Sequence, residues 1–393
     1  MLVREVGLLG EIVFIICAFS SIMFVAHMVM WALKPSLKFS YSYIKTLFIS
    51  FTISISVLSY FFVPHIAFDL ARHFQYMNEI RDSGKDLMVL VKEAFIGQQY
   101  VGHYPTLITF NLLRDVLVFA TEENSVLPVI TTFVTYAIFS YITLDCLKRY
   151  KLGLKWLIVG FIVCFSAMPL LLVVSGVRCA MAFSIVGIAI YLREEKQCSW
   201  WLFGILCFIA ITTHDSVTVT IILYLMFAIL GNKLNKFYIL FGTLSIGLFV
   251  RLIASSKITF LSALANRFIY YNETFVYQGE RLQYYADIIL VVVLFFLTTI
   301  VSKKGIYKKW IHFFEIYSAF ILGTISFGGT VFLTRYTYFL GPLSMIIVKE
   351  IIHNAINSNG EDIRARQCLL IITYGVCGIS IIQGMIDYLS CLI

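Results

Sequence analysis

The sequence predicts an all-α fold, a polytopic transmembrane helix bundle, and three observations carry that prediction. Of 393 residues 60% are hydrophobic and only 13% are charged, the mean hydropathy is +0.89, and the apolar residues gather in runs of roughly 15 to 22, the length that crosses a bilayer. So much apolar surface needs lipid as its solvent, which excludes a soluble multidomain enzyme. Each run must close its own backbone hydrogen bonds in hydrocarbon, so each is expected to be a helix.

About twelve such spans are expected, at residues 8–33, 44–63, 126–147, 154–174, 177–192, 200–213, 217–230, 237–254, 284–301, 310–327, 334–352 and 368–393. The first is too long for a signal-peptide core, follows the acidic Glu5 and Glu11 and lacks a small-residue cleavage site, so it reads as a retained span. Runs 200–213 and 217–230 are short and are alternatively a re-entrant pair, which leaves the count open by about two. The whole chain reads as one integral membrane domain with two long loops, 64–125 between the second and third spans and 255–283 later on.

Orientation follows from the basic residues. Alternate short connectors, from the one holding Lys34, Lys38 and Lys45 to the one holding Lys349, Arg364 and Arg366, hold 18 of the 30 Lys and Arg. That bias makes this side cytoplasmic. Asp69, Arg72, His73, Arg178, His214, Arg281 and Arg335 then all fall on or near the opposite face. A carrier handles its cargo from both faces, with a site near the midplane. Polar groups gathered on one side suit an enzyme whose substrate is delivered there.

The segment after Pro64 puts His65, Asp69, Arg72 and Tyr76 at helical spacing on one face, with His73 beside them. This pattern suits a carboxylate that takes a proton from a sugar hydroxyl, next to a guanidinium that grips phosphate. An ordinary solvated helix with an internal ion pair fits the pattern equally well. The rest of the loop alternates charged and apolar residues and is expected to form amphipathic helices against the membrane.

Arg178 follows Ser175-Gly176 and precedes a series of small residues that allows close helix packing. A cation inside a span is a functional-site hypothesis by default, although an Arg near a helix end can also snorkel to the interface. His214 stands between two short spans. It titrates near neutrality and is a candidate base, whereas Asp215 suits a helix cap better than a partner to its neighbour. Arg335 lies between Gly328-Gly329 and Gly341-Pro342, which permit irregular backbone at membrane depth. Its planar fork suits phosphate oxygens, and Tyr336 and Tyr338 beside it can stack on a sugar. Arg281 opens a span from the outer loop and is either a sugar contact or part of a solvated ion pair. The nine cysteines are scattered without a C-x-x-C pair, and no nucleotide or metal motif is present in the sequence.

Asp69-x-x-Arg72 after the second span, Val177-Arg178-x-x-Met181-Ala182 opening a mid-chain span, a short span ending in His214, and Thr334-Arg335-Tyr336-x-Tyr338-Phe339 resemble, in that order, the EpsG/Wzy family of exopolysaccharide and O-antigen repeat-unit polymerases. Family members often have Gln after the mid-chain Arg, where this chain has Cys179. The resemblance implies a GT-C-like membrane glycosyltransferase in the bacterial inner membrane. It would move a growing glycan from undecaprenyl pyrophosphate onto the sugar of an incoming lipid-linked repeat unit, on the outer face. Carried over by position, Arg72, Arg178 and Arg335 would hold the pyrophosphate, Asp69 or His214 would deprotonate the acceptor, and Tyr76, Tyr336, Tyr338 and Arg281 would meet the sugars. It implies no cofactor, no required metal and no nucleic acid. The implied partners are the lipid-linked oligosaccharide, the bilayer, and a chain-length regulator and flippase of the same pathway.

Two alternatives stay open: a lipid-linked oligosaccharide flippase or permease, and an O-antigen ligase, which shares the chemistry apart from its acceptor. Removing one phosphate-holding guanidinium is expected to raise the barrier by about 3 kcal/mol. Arg178→Ala and Arg335→Ala are therefore each expected to abolish long glycan chains at unchanged protein level. Wild-type chain length in both variants would reject the polymerase reading.

Overall fold

The structure is a computed structural model that describes residues 7–34, 39–64, 69–96, 106–153, 155–254, 278–303, 309–327 and 330–354. These residues are helical, with no strand among them. The last expected span, 368–393, and most of the loop at 255–283 lie outside them, as does His65. By contact the chain divides into two compact units, one within Met1–Ile158 and Met168–Thr218, the other within Val159–Ala167 and Val219–Leu389.

Four helical stretches among the described residues are long and apolar enough to cross a membrane: Leu8–Trp31, Tyr41–Phe61, Val126–Tyr150 and Gln283–Ser302. In the first unit, α1 (Leu8–Leu33) and α2 (Tyr41–Leu58) pack side by side. Phe24 of α1 stacks on Phe51, with ring centroids 4.2 Å apart, and meets Phe48 edge on. The other face of α1 leaves Leu8, Ile15, Phe19 and Ile22 exposed, as expected of a helix whose solvent is lipid. Helix α6 (Val126–Tyr150) backs α2, and a Thr52–Ser140 hydroxyl contact of 2.8 Å joins them.

Between α2 and α6 the long loop forms three helices, α3 (Asp69–Ser83), α4 (Leu87–Ile96) and α5 (Ile108–Ala120). Each is too short to cross the hydrocarbon. On α3 the buried residues are Leu70, His73, Tyr76, Met77 and Ile80, and on α5 they include Phe110, Asn111, Arg114, Leu117 and Val118. Both sets recur at three and four residues, the stripe of a helix packed on one side.

The expected span 154–174 is broken. Helix α7 (Lys155–Ala167) stops before Pro169, whose extended backbone starts the short α8 (Leu170–Ser175). Proline lacks the N–H the helix needs, and its ring clashes with the carbonyl four residues back. Helix α9 (Val177–Glu195) then crosses the unit between two polar layers. Arg178 stands at its start. At its end Arg149 donates to Glu195 Oε2 at 2.5 Å and to Asp145 Oδ2 at 2.8 Å, while Tyr191 and Lys196 also donate to Asp145. At 1.5 Å per residue the two ends stand about 26 Å apart, close to the thickness of a hydrocarbon core. Helix α10 (Trp200–Thr213) packs along α9 and is capped by the Ser199 hydroxyl, which accepts from the Leu202 amide at 3.2 Å.

The second unit holds α11 (Val217–Leu230), α12 (Lys236–Ala254), α13 (Gln278–Lys303), α14 (Lys309–Gly323) and α15 (Thr330–Thr337). A Cβ on Gly323 would come within 2.5 Å of Thr243 Cβ, which is why α12 and α14 can approach so closely. The expected span 334–352 is irregular. It runs from α15 through the 3-10 turn Tyr338–Leu340 and the four-residue helix Ser344–Ile347 into a π-helical turn, Val348–Ile352. Gly341 and Pro342 interrupt it, and the whole stretch from Tyr336 to Val348 is buried by protein, the condition under which irregular backbone survives at membrane depth.

Candidate functional site

The polar cluster of the first unit is built around one carboxylate. Asp69 begins α3, where the positive end of the helix dipole favours an anion. The Arg178 guanidinium reaches it from 109 residues away, with Nε donating to Oδ2 at 3.1 Å and Nη2 to Oδ1 and Oδ2 at 3.1 and 2.9 Å. Arg72 adds a bond from Nη2 to Oδ1 at 3.0 Å, and His73 Nε2 lies 3.3 Å from Oδ2. The side chain of Arg178 is 6% exposed, that of Asp69 22% and that of Arg72 37%. Arg178 is therefore the buried floor of the site and Arg72 its open edge.

Arg114 completes the cluster. Its Nη1 donates to His73 Nδ1 at 3.1 Å and its Nη2 to Asn111 Oδ1 at 3.1 Å, while its guanidinium lies 3.3 Å from the centroid of the Tyr76 ring. A guanidinium can only donate, so Nδ1 of His73 must accept. The imidazole proton then sits on Nε2, directed at Asp69. The Tyr76 hydroxyl donates to Asp115 Oδ1 at 3.4 Å. Phe110 forms the apolar wall, 4.9 Å from the His73 ring and 5.8 Å from the Arg178 guanidinium. Among the described residues of the cluster, three guanidiniums thus face two carboxylates, a cationic excess.

This arrangement sets the protonation states of the loop helices. Burial would raise the Asp69 pKa, but Arg178, His73 and Arg72 outweigh it and hold the carboxyl well below its ordinary value. Burial lowers His73 to about 4 against the opposing pull of Asp69. It raises Asp115 to about 6, although Arg114 and the Tyr76 hydrogen bond resist. It also raises Tyr76 to about 12 and lowers Arg114 to about 10.

The sequence pointed to Asp69, Arg72, His73, Arg178 and Tyr76, and the structure brings all five into this one cluster. It did not point to Arg114, Asn111 or Asp115. The signal was there, an Arg three residues after an Asn in the apolar run of α5, where a cation has no place without a function or a partner. One face of the Tyr76 ring is covered by Arg114, so in this state that face meets a cation where a sugar was expected.

His214 is buried at the end of α10, in extended backbone with φ −157° and ψ 122°. Its Nδ1 accepts from the Ser216 amide at 3.2 Å and lies 2.6 Å from the Ser216 hydroxyl. An amide N–H can only donate, so the ring proton is on Nε2. Asp215 approaches Nδ1 to 3.3 Å but is 75% exposed; the two neighbours meet because the helix has already ended. Next to His214, Thr212 bonds Thr109 of α5 at 2.6 Å and so ties the end of α10 to the loop helices.

The remaining expected residues belong to the second unit. Arg335 is on α15, whose register is pinned on both sides. Thr334 donates to Asp287 Oδ2 at 2.7 Å, and the Tyr336 carbonyl accepts from Tyr317 at 3.0 Å. Asp287 is fully buried and also accepts from Gln283 at 2.9 Å. Tyr336 and Tyr338 are buried, and Tyr336 stands edge on to Phe320; their rings pack within the unit, where the sequence suggested stacking on sugar. The backbone of Arg281 lies in α13 and its side chain outside the described atoms. Among the described residues no group of three or more His, Cys, Asp or Glu side chains is arranged to hold a metal ion.

Folding stability should carry the signature of this cluster. His73 is depressed from 6.5 to about 4, so the unfolded chain binds its proton first and stability falls as pH drops through that window. Asp115 is raised from 3.8 to about 6, so the folded chain binds its proton first and stability rises as pH drops through 6. Each is worth roughly 3 kcal/mol at 1.36 kcal/mol per pKa unit, with opposite sign, and they nearly cancel. Asp115→Asn is therefore expected to unmask the His73 effect, with a thermal midpoint in detergent that falls relative to the wild type by a margin that grows as pH drops from 6.5 to 4.5. Parallel pH profiles for the two proteins would contradict the assignment.

Comparison with known proteins gives one match. No curated protein and no solved structure matches the chain. Residues 95–390, about three quarters of the sequence, match the EpsG family, and Arg114, Arg178, His214 and Arg335 all fall within that stretch. Several apolar helices long enough to enter or cross a membrane, a loop-built cationic cluster and this match together show that the chain is a membrane protein belonging to the EpsG family.

Proposed function

We propose that this protein is a polysaccharide polymerase of the bacterial inner membrane, with about twelve spans in a GT-C-like architecture. It moves a growing glycan from undecaprenyl pyrophosphate to the sugar of an incoming lipid-linked repeat unit on the outer face. The observation that carries this reading is the cluster in which Arg72 and Arg178 grip the Asp69 carboxylate and Arg114 stands behind it, bonded to His73. Fixed cations in excess, in a partly desolvated place, suit a doubly phosphorylated leaving group.

In the reaction the acceptor hydroxyl attacks the anomeric carbon of the donor sugar, and the bond from that carbon to the pyrophosphate oxygen breaks. The electron pair leaves with the pyrophosphate, whose new charge the arginines stabilise. Asp69 receives the acceptor proton. Paired with Arg178 it is a poor base, held below its ordinary pKa. A pyrophosphate that takes over the Arg178 fork releases the carboxylate, and its basicity rises once the substrate is in place. Through the Arg114–His73 pair a donor stays on Asp69 Oδ2 and Arg72 stays on Oδ1, so the carboxylate keeps its orientation when Arg178 turns to the substrate. His214 carries its proton on Nε2 and suits donation to a substrate oxygen better than the role of base. Arg335 stays in this reading as the phosphate ligand that its motif suggests.

Asp69→Asn keeps the size of the side chain and removes its basicity. It is expected to cut glycan polymerisation by about 10²- to 10⁴-fold, the usual weight of a general base, with unchanged protein in the membrane. The assay is chain-length analysis of product from defined lipid-linked repeats. Wild-type chain lengths from Asp69→Asn would remove Asp69 from the chemistry. Product built onto a defined lipid A core acceptor, in place of lipid-linked repeats, would show a ligase.

A further inference from the structure

The C-terminal ends of α3 and α5 enclose a cleft of about 600 Å³, in the range of small-molecule sites. It is separate from the cationic cluster yet built on the same two helices. Arg81 stands nine positions after Arg72 on α3, so the cleft begins about 13 Å along the helix from the edge of the cluster. Arg81 builds its wall, donating to Asn124 Oδ1 at 2.5 Å and to the Thr121 carbonyl at 3.0 Å and thereby holding the α5–α6 link against α3. Lys85, Asp86, Phe119 and Glu122 line it. The turn at Gly84 has φ +62°, and the place a Cβ would occupy has nothing within 4 Å, so the chain there leaves the cleft open.

We propose that this cleft binds the glycan part of the lipid-linked substrate, a short run of uncharged or charge-balanced sugar rings, with Phe119 as the surface on which a ring stacks. The chemistry differs from that of the cluster. Lys85 is ion-paired with Glu93 at 2.7 Å, Arg81 is engaged by Asn124 and Thr121, and Asp86 and Glu122 add two carboxylates to the lining, so the cleft does not select an anion. Sugar hydroxyls both donate and accept, and a lining with donors and acceptors of both kinds can satisfy them. The C–H face of a pyranose is apolar and suits an aromatic ring. Phe119 is 48% exposed, two residues before the polar run Thr121-Glu122-Glu123-Asn124. The spacing from the cluster fits a chain whose pyrophosphate end is held by arginines while sugars further along lie here.

This subsite rests on the polymerase reading, and the test separates the two. Purified full-length protein in nanodiscs is titrated with short oligomers of the cells' own exopolysaccharide, freed from lipid by mild acid. Saturable binding is expected, at least tenfold weaker in Phe119→Ala, several-fold weaker in Glu122→Gln, and kept or strengthened in Phe119→Trp, which guards against a folding defect in the alanine variant. The same preparations are assayed for polymerisation of lipid-linked repeats. An active wild type that binds no oligomer, or that binds them no better than Phe119→Ala and Glu122→Gln do, overturns the cleft and leaves the polymerase reading standing. Binding that depends on Phe119 in a wild type unable to polymerise supports the cleft and overturns that reading. If Phe119→Ala weakens only the partition of the protein's loop face onto anionic phosphatidylglycerol vesicles, the cleft is a membrane contact and the proposal falls.

Discussion

The ion pair between Asp69 and Arg178 is the constraint from which the rest of the first unit follows. Arg178 is the second residue of α9 and almost fully buried, and a buried cation without a partner destabilises a protein by about 3 to 5 kcal/mol. The start of a helix is also the wrong end for a positive charge. Both problems are solved by one carboxylate from a loop helix, gripped through two guanidinium nitrogens. The pair fixes where α3 lies, and α3 then fixes the placement of His73 and Tyr76 against α5. The same physics defines what can replace the carboxylate. Only another anion, presented at the start of α9, relieves Arg178 as Asp69 does.

Cation excess gives the cluster its direction. A purely structural network would be expected to balance, and the one at the far end of α9 comes close, with Asp145 and Glu195 meeting Arg149 and Lys196. Around Asp69 three arginines face two carboxylates, one of which, Asp115, is raised to about 6 by burial. The proposed pyrophosphate leaving group gives that surplus a use. The neutral His73, locked as a donor by Arg114, adds a hydrogen bond without adding charge.

Much of this was legible in the chain itself. The runs 200–213 and 217–230 coincide with α10 and α11 because Ser199 caps the first and the His214-Asp215-Ser216 turn separates the two. Asp69, Arg72 and Tyr76 fall on one helix face, as their spacing implies. What was hidden had physical causes. Pro169 ends a run that hydropathy alone carries through to 174, because hydropathy measures transfer and is blind to a missing N–H. Arg114 stands next to Asp115 on an amphipathic helix, and adjacent opposite charges read as a solvated surface pair although both are buried. That Arg178 meets Asp69 depends on a contact across 109 residues, which no local pattern encodes. The expected stacking tyrosines Tyr336 and Tyr338 read as exposed rings beside an Arg, yet in the second unit both are buried, Tyr336 against Phe320.

In the proposed function Asp69 occupies the place a pyrophosphate takes, so carboxylate and substrate compete for one guanidinium. The most direct measurement is the affinity of purified protein for farnesyl pyrophosphate, compared between wild type and the Asp69→Asn variant by calorimetry. Removing the competing charge is predicted to tighten binding by about tenfold, which is roughly 1.4 kcal/mol. Binding that is unchanged or weaker in Asp69→Asn would contradict the claim that the ion pair marks the substrate site.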